Sequence, residues 1–445
     1  MRTTHTSAKL KGWMQAMLAV LLTATLVACG GGGGSSNSNS GNSSSGSGGS
    51  ASNGSSGGSL PPSPTQQPIA ANAANTVQIT VGHGAAGVIN IPTVSVTICA
   101  PGSTTNCATI NNIQLDTGSF GLRVVGSVLN SINPTLLSAL PVSTIAGSGA
   151  QLAECARFAD GYTWGSVRTA TVTIGGETTA SRIPLQIIGD KAASTTPAIC
   201  SGSGMSENTV SDLGSNGILG VGTAPNDCGA TCANPATAVN YSNYFACPNG
   251  TSCTRTAVPL TQQVTNPVAS FPVDNNGVIV QMEPVSSTGA ASANGTLVFG
   301  INTAGNNTLA ASQVFTTTAS GDLENSTFNG TKITAFLDSG SNAYFFGDST
   351  LAPCSQFPNF YCPSSAQTRT VTLVGLNGVS AAADIGILDA QTLFASGSSF
   401  AFNDLAGQFG NNTSFDLGLP FFYGRYVYYH LDQTASGGPS PYVGY

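Results

Sequence analysis

The sequence predicts an all-β chain folded as two related lobes, and three observations carry that reading. From residue 75 onward, short runs of Val, Ile, Thr, Leu and Phe are split by Gly, Asn, Ser and Pro. A four-residue pattern occurs twice: Asp116-Thr117-Gly118-Ser119 in QLDTGSFGLRV and Asp338-Ser339-Gly340-Ser341 in AFLDSGSNAYFF. Each has an apolar-Gly segment downstream, Gly217-Ile218-Leu219-Gly220-Val221-Gly222 in the first half and Phe415-Asp416-Leu417-Gly418-Leu419 in the second. One Asp-Thr/Ser-Gly is compatible with a surface turn. Two, one in each half of a β-rich chain, predict two lobes that each bring one aspartate to a shared site.

The strands are expected from period-two alternation. VQITV (77–81), TVSVTI (93–98) and TATVTI (169–174) alternate apolar and polar residues and are bounded by turn formers, the pattern of half-buried strands. Helical periodicity is weak, and short helices are expected only over 131–140 and 389–394.

The amino terminus reads as a targeting segment. Arg2, Lys9 and Lys11 precede an apolar run over 13–28 that ends in Leu26-Val27-Ala28 before Cys29. The run is too short for a membrane span. Cys29 after Leu-Val-Ala resembles the bacterial lipobox, which implies lipidation of Cys29. Gly30 stands where an Asp would resemble an inner-membrane retention signal, so the outer membrane is the expected location. The stretch from Gly30 to about Ser59 is almost only Gly, Ser and Asn and cannot bury apolar surface. A flexible linker of about 40 residues spans roughly 35 Å, enough to hold a folded body just off a membrane.

Of 445 residues only 7% are charged, and the net charge is −7. No Lys/Arg cluster lies beyond the targeting segment, which argues against nucleic acid as a partner. The 11 cysteines less Cys29 leave an even number. Export makes disulfides the default. Short intervals stand out at Cys99/Cys107, Cys228/Cys232, Cys247/Cys253 and Cys354/Cys362, and pairing neighbours would leave Cys155 with Cys200. Sequence alone leaves that connectivity open. Zinc is disfavoured because no His lies near these residues and CxxC spacing is absent.

Together these residues resemble the pepsin-like aspartic peptidases. The resemblance implies two related β-barrel lobes with an interlobe cleft, each lobe giving one Asp-Thr/Ser-Gly loop braced by an apolar-apolar-Gly segment. Asp116 and Asp338 match the catalytic aspartates, and Ile218-Leu219-Gly220 matches the first brace. FADGYTWGSVRTATVTIGG (158–176) resembles the flap hairpin, with Phe158 and Tyr162 as the flap residues. GTLVFGINT (295–303) resembles the strand that opens the second lobe, FDLGLPFFYGRYVYYHLD (415–432) the late brace and the strands beyond it, and PYVGY (441–445) the closing strand. The expected organisation is a signal peptide over 1–28, Cys29 and a tether through 74, a first lobe over 75–272, interlobe strands over 273–300, and a second lobe over 301–445. A monomer without metal or cofactor is implied. A bacterial lipoprotein family without assigned function is also implied.

The chain departs from that pattern at three places. Phe158 stands where the flap usually carries Tyr, and Arg123 where a Trp usually hydrogen-bonds that Tyr. The changes are mutually consistent, and Asp160 is the expected partner of Arg123. The second brace reads Asp416-Leu417-Gly418, with Leu419 where an Asp often comes next. An extra carboxylate near the site and a match shifted by one residue both fit.

The chemistry fits the residue types. Amide hydrolysis needs an activated water and a proton for the leaving amine, and two carboxyls sharing one proton supply both. At about 3 Å and an effective dielectric near 20, two carboxylates repel by roughly 5 kcal/mol, about four pKa units. Gly118 and Gly340 allow the loops to approach. Thr117 and Ser339 can bond across the lobes, and Ser119 and Ser341 can donate to the outer carboxylate oxygens. A Ser-His-Asp triad is disfavoured, since His83 and His430 lie beside no nucleophile elbow. The expected function is therefore an exported endopeptidase acting on peptide or unfolded protein. A catalytically inactive pepsin fold that grips a peptide or partner is the alternative. A structural or adhesive surface β protein, the third reading, requires Asp116 and Asp338 to lie far apart.

Overall fold

Thr76–Val81 turns Ile79 and Val81 into the interior and leaves Gln78 and Thr80 at the surface side, the alternation its sequence predicts. The computed structural model describes residues 58–445. The expected signal peptide, Cys29 and the tether as far as residue 57 lie outside those residues.

The described chain is all-β and two-lobed. Its strands form a 17-stranded sheet and a 7-stranded sheet. The smaller one gathers strands from Leu323–Phe328 to Ser414–Leu417. The larger holds the first half of the chain and also the last two strands. Gly277–Met282 pairs with Ala293–Phe299 on one side and with Tyr426–His430 on the other. Ala293–Phe299 pairs in turn with Thr76–Val81, and the terminal Tyr442–Gly444 pairs with Tyr426–His430 and Val314–Thr316. Strands from the beginning, middle and end of the chain thus share one sheet. One core cluster runs through both halves, from Ile79 to Val443.

Helices are short. The helical stretch expected over 131–140 starts earlier and divides into Gly126–Ile132 and Leu136–Ala139, because Pro134 between them cannot continue a helix. Ala390–Phe394 forms as expected, with the Asp389 side chain accepting from the Thr392 amide as an N-cap. Pro235–Tyr241 was not predicted; its signal is Asn234 capping the Ala236 amide with Pro at the first turn.

The tether expected through residue 74 ends sooner. Residues 59–74 lie along the body: the Gln66 amide donates to the Gly424 carbonyl at 3.0 Å, the Ile69 amide to Gln281 Oε1 at 2.9 Å, and Thr296 Oγ1 to the Ile69 carbonyl at 2.6 Å. The reason is compositional. At Leu60 the Gly/Ser texture gives way to Pro61, Pro62 and Pro64, which fix an extended backbone, and Ile69 packs against Ile279, Val298 and Tyr428.

The ten described cysteines form five disulfides: Cys99–Cys107, Cys155–Cys200, Cys228–Cys232, Cys247–Cys253 and Cys354–Cys362. Cys155–Cys200 ties the hairpin strand Gln151–Arg157 to the helix Ala198–Ser201.

Candidate active site

Each aspartate ends a strand that a second strand braces. Cys107–Asp116 runs parallel to Gly217–Val221, with Leu219 opposite Leu115 and Gly220 opposite Asp116. Thr331–Leu337 runs parallel to Ser414–Leu417, with Leu417 opposite Leu337 and Asp416 opposite Phe336. Matching Leu115 with Leu337 fixes the correspondence: Ile218 with Asp416, Leu219 with Leu417, Gly220 with Gly418. The register therefore excludes a one-residue shift, and Asp416 is an acid in an apolar position of the brace.

The two loops meet between the lobes. The Thr117 amide donates to Ser339 Oγ at 3.2 Å, and the Ser339 amide to Thr117 Oγ1 at 2.9 Å. Thr117 Oγ1 donates onward to the Leu337 carbonyl at 3.4 Å and Ser339 Oγ to the Leu115 carbonyl at 2.8 Å. Both side chains are buried, so these crossed bonds replace water at the lobe junction. Gln114 Nε2 adds a further link to the Gly340 carbonyl at 2.9 Å. Sequence reading missed Gln114, although a polar residue two places before Asp116 in an apolar strand end was a usable signal.

Glycine is required at both loops. A Cβ on Gly118 would lie 2.4 Å from Asp338 Cγ, and one on Gly340 would lie 2.6 Å from Asp116 Oδ1. Each loop thus reaches across to the opposite carboxyl.

The carboxyls of Asp116 and Asp338 come within hydrogen-bonding reach of one another. That removes the wide separation which an adhesive surface protein requires. Asp116 Oδ1 accepts from the Gly118 amide at 2.8 Å, and its Oδ2 accepts from Ser119 Oγ. Asp338 Oδ1 accepts from the Gly340 amide at 2.8 Å, and its Oδ2 from Ser341 Oγ at 3.1 Å. Ser341 Oγ also lies 2.6 Å from Asp416 Oδ2, so one hydroxyl serves two carboxyls in the second loop. Burial pushes the Asp116 carboxyl up to about 7, helped by the charge of Asp338 and a hydrogen bond to it, and opposed by Ser119 and the Gly118 amide.

A cleft opens above the pair. Gln114, Asp116, Ser119, Asp338, Ser341 and Asp416 line it with Phe120, Ile218, Phe336 and Phe345, and Phe158, Ala159 and Asp160 line it from the hairpin. Phe158 thus stands at the cleft as expected. Tyr162 does not: it is buried with Trp164, Cys155 and Cys200 in a separate cluster. The Cys155–Cys200 disulfide builds an apolar layer behind the hairpin, and Tyr162 fills it. Asp227 and Glu207 also line the cleft and were not anticipated.

Arg123 is fully buried and does not pair with Asp160. Its Nη2 donates to Glu154 Oε1 at 2.6 Å and lies 3.3 Å from Asp227 Oδ2. The reason is direction: Arg123 is enclosed beneath the hairpin, where Glu154 and Asp227 face it, whereas Asp160 sits at the hairpin tip. Of the described histidines, His83 meets Phe400 edge-on at 5.4 Å, and His430 stacks on Tyr442 at 4.7 Å.

Fold and site define a two-lobed β protein with paired aspartate loops at an interlobe cleft. The chain belongs to the family described as Protein of unknown function (DUF3443), whose model matches residues 71–445. No curated protein matches it. Among solved structures it is similar to the crystal structure of aspartic proteinase from Irpex lacteus, at 14% identity over 83% of this chain and 96% of that one, with a TM-score of 0.45.

Proposed function

We propose that the chain is an exported, membrane-tethered aspartic endopeptidase that hydrolyses peptide bonds with Asp116 and Asp338. The observation that carries this reading is the approach of two carboxyls at the cleft floor, the buried Asp116 and the half-buried Asp338, with Asp116 pushed up to about 7. Such a pair holds one proton below that pH, and the proton belongs to the pair rather than to either residue. The ionised member takes a proton from a water, whose oxygen attacks the carbonyl carbon, while the protonated member donates to the carbonyl oxygen. Collapse of the tetrahedral intermediate returns a proton to the pair and delivers one to the departing amine. Phe158 covers the bound peptide from the hairpin. The partner is an extended or unfolded peptide, and a monomer without metal or cofactor suffices.

Lipidation at Cys29 would hold the enzyme at the outer membrane. Cys29→Ser is expected to abolish fatty-acid labelling and release the protein from the membrane fraction. The catalytic test is digestion of an unfolded protein at acid pH with mass spectrometry of the products. Asp116→Asn should yield no fragments, and fragments at the wild-type rate would sink the catalytic claim.

A second reading is favoured by Arg123, Phe158 and Asp416, which depart from the pepsin-like pattern around an otherwise complete pair. On that reading the cleft grips a peptide or partner without cutting it. Peptide binding with no cleavage products from acid to neutral pH would select it.

A further inference from the structure

A cation in a protein interior persists only where it is paired and hydrogen-bonded. Arg123 meets that condition with partners from separate parts of the first lobe. It lies on Phe120–Val125, the strand leaving the first aspartate loop. Its Nη1 donates to the Phe120 carbonyl at 2.8 Å, and its Nη2 to Glu154 Oε1 at 2.6 Å and to Asp227 Oδ2 at 3.3 Å. Asp227 accepts from the Tyr244 hydroxyl, which in turn accepts from the Val264 amide at 2.6 Å. Glu154 belongs to Gln151–Arg157, the first strand of the flap hairpin, four residues before Phe158. The guanidinium carbon lies 6.0 Å from the centre of the Phe158 ring.

The backbone ladders make this connection only through two intervening strands. Phe120–Val125 pairs with Gly217–Val221 and Ile183–Ile188. Ile183–Ile188 reaches the hairpin along Gly165 to Ala170, where Gly165 lies opposite Glu154, and does not extend to the tip. Gln151–Arg157 pairs with the returning hairpin strand and with Tyr244–Cys247. A polar path from the first aspartate loop toward Phe158 runs through the Phe120 carbonyl, Arg123 and Glu154, beside the apolar packing of Phe158 on Val125, Ile188, Leu213 and Ile218. An apolar cluster replacing Arg123, Glu154 and Asp227 together would leave no charge to desolvate and is often as stable or more so. What it lacks is direction, which a planar fork of fixed donors supplies.

We propose that Arg123 is a positioning residue that clamps the flap hairpin to the first aspartate loop, so that Phe158 is held at a fixed height above the carboxyl pair. The role in substrate handling rests on the reading that a peptide occupies the cleft; the clamp itself does not. Loss of the clamp frees the hairpin tip while leaving the strands beneath it paired.

The test is hydrogen exchange on the intact protein, comparing wild type with Arg123→Met and with Glu154→Gln, which preserves shape. Amides over 155–163 should exchange at least about tenfold faster in both variants, and by at least about tenfold more than any rise in Thr331–Leu337. Flap rates equal to wild type, or a rise shared equally by all strands, overturn the proposal. If Arg123→Met does not fold, Glu154→Gln decides. This arm needs no turnover, so it stands even if Asp116→Asn shows that the chain is not a peptidase. Where peptide is cleaved, KM should rise about fivefold or more with kcat within about threefold; an unchanged KM overturns the proposal.

Discussion

The two aspartate loops share one backbone plan and differ in where charge sits around it. In the first, Arg123 lies opposite Ile218 of the brace. In the second, Phe345 lies opposite Asp416. Each loop carries one apolar and one charged member of that pair, with the strands exchanged and the sign reversed. Arg123 turns away from the carboxyl pair toward the hairpin, and its charge is met by Glu154 and Asp227. Asp416 turns toward the pair and shares Ser341 with Asp338. The second loop adds aromatic packing, with Phe346 stacked on Phe415 at 4.6 Å. The difference teaches that the shared plan fixes the position of the aspartates, while the residues opposite the brace decide what each loop is coupled to: the covering hairpin in one case, the acid network of the site in the other.

The largest expected effect tests whether the loops are equal where they meet. Asp116→Asn and Asp338→Asn should each lower peptide turnover by roughly 10²–10⁴-fold, read from fragment release at acid pH. A large fall in one variant only would show that the loops are not partners in one reaction.

The next contrast is in stability. Arg123→Met strands Glu154 and Asp227 without their cation and should cost roughly 3–5 kcal/mol, whereas Phe345→Leu should cost about 1 kcal/mol. Urea unfolding of both variants measures the difference, and equal losses would break the contrast.

Titration comes third. The Asp116 carboxyl rises from 3.8 to about 7 on folding, so the folded state binds the proton more tightly than the unfolded one. That contribution is complete below about 3.8 and is lost as pH climbs to about 7. The thermal midpoint should fall across this window, and Asp116→Asn should flatten the profile. Activity should fall as pH rises past about 7, where the pair loses its proton.

The smallest effect makes the second brace resemble the first. Asp416→Leu returns Ser341 wholly to Asp338 and removes a neighbouring acid, and both changes favour the ionised pair. The alkaline edge of the pH-rate profile should move toward acid by about one unit or less, with stability within about 1 kcal/mol of wild type.

The features legible in the sequence were local. The strands alternate over a few residues, the loops are four-residue patterns, and Asp389 sits directly before its helix. The aspartate loops and braces could be matched because each half repeats the other. The features that stayed hidden depend on partners distant along the chain. Arg123 meets Glu154 and Asp227, 31 and 104 residues away, and nothing near Arg123 distinguishes them from Asp160. Tyr162 reads as a cleft residue until the Cys155–Cys200 bridge supplies a core behind it. Residues 59–74 read as linker because their contacts lie more than 200 positions onward, at Gln281, Thr296 and Gly424.

The crossed bonds between the loops carry a mechanical consequence. Four hydrogen bonds, two through Thr117 and two through Ser339, stitch the lobes together directly beneath the carboxyls. A pair of jaws joined at that point behaves as a lever with its fulcrum at the chemistry: rotation of one lobe against the other leaves the two aspartates nearly still and moves the rim most. Such a rotation would change the width of the cleft without altering the spacing of the groups at the pivot.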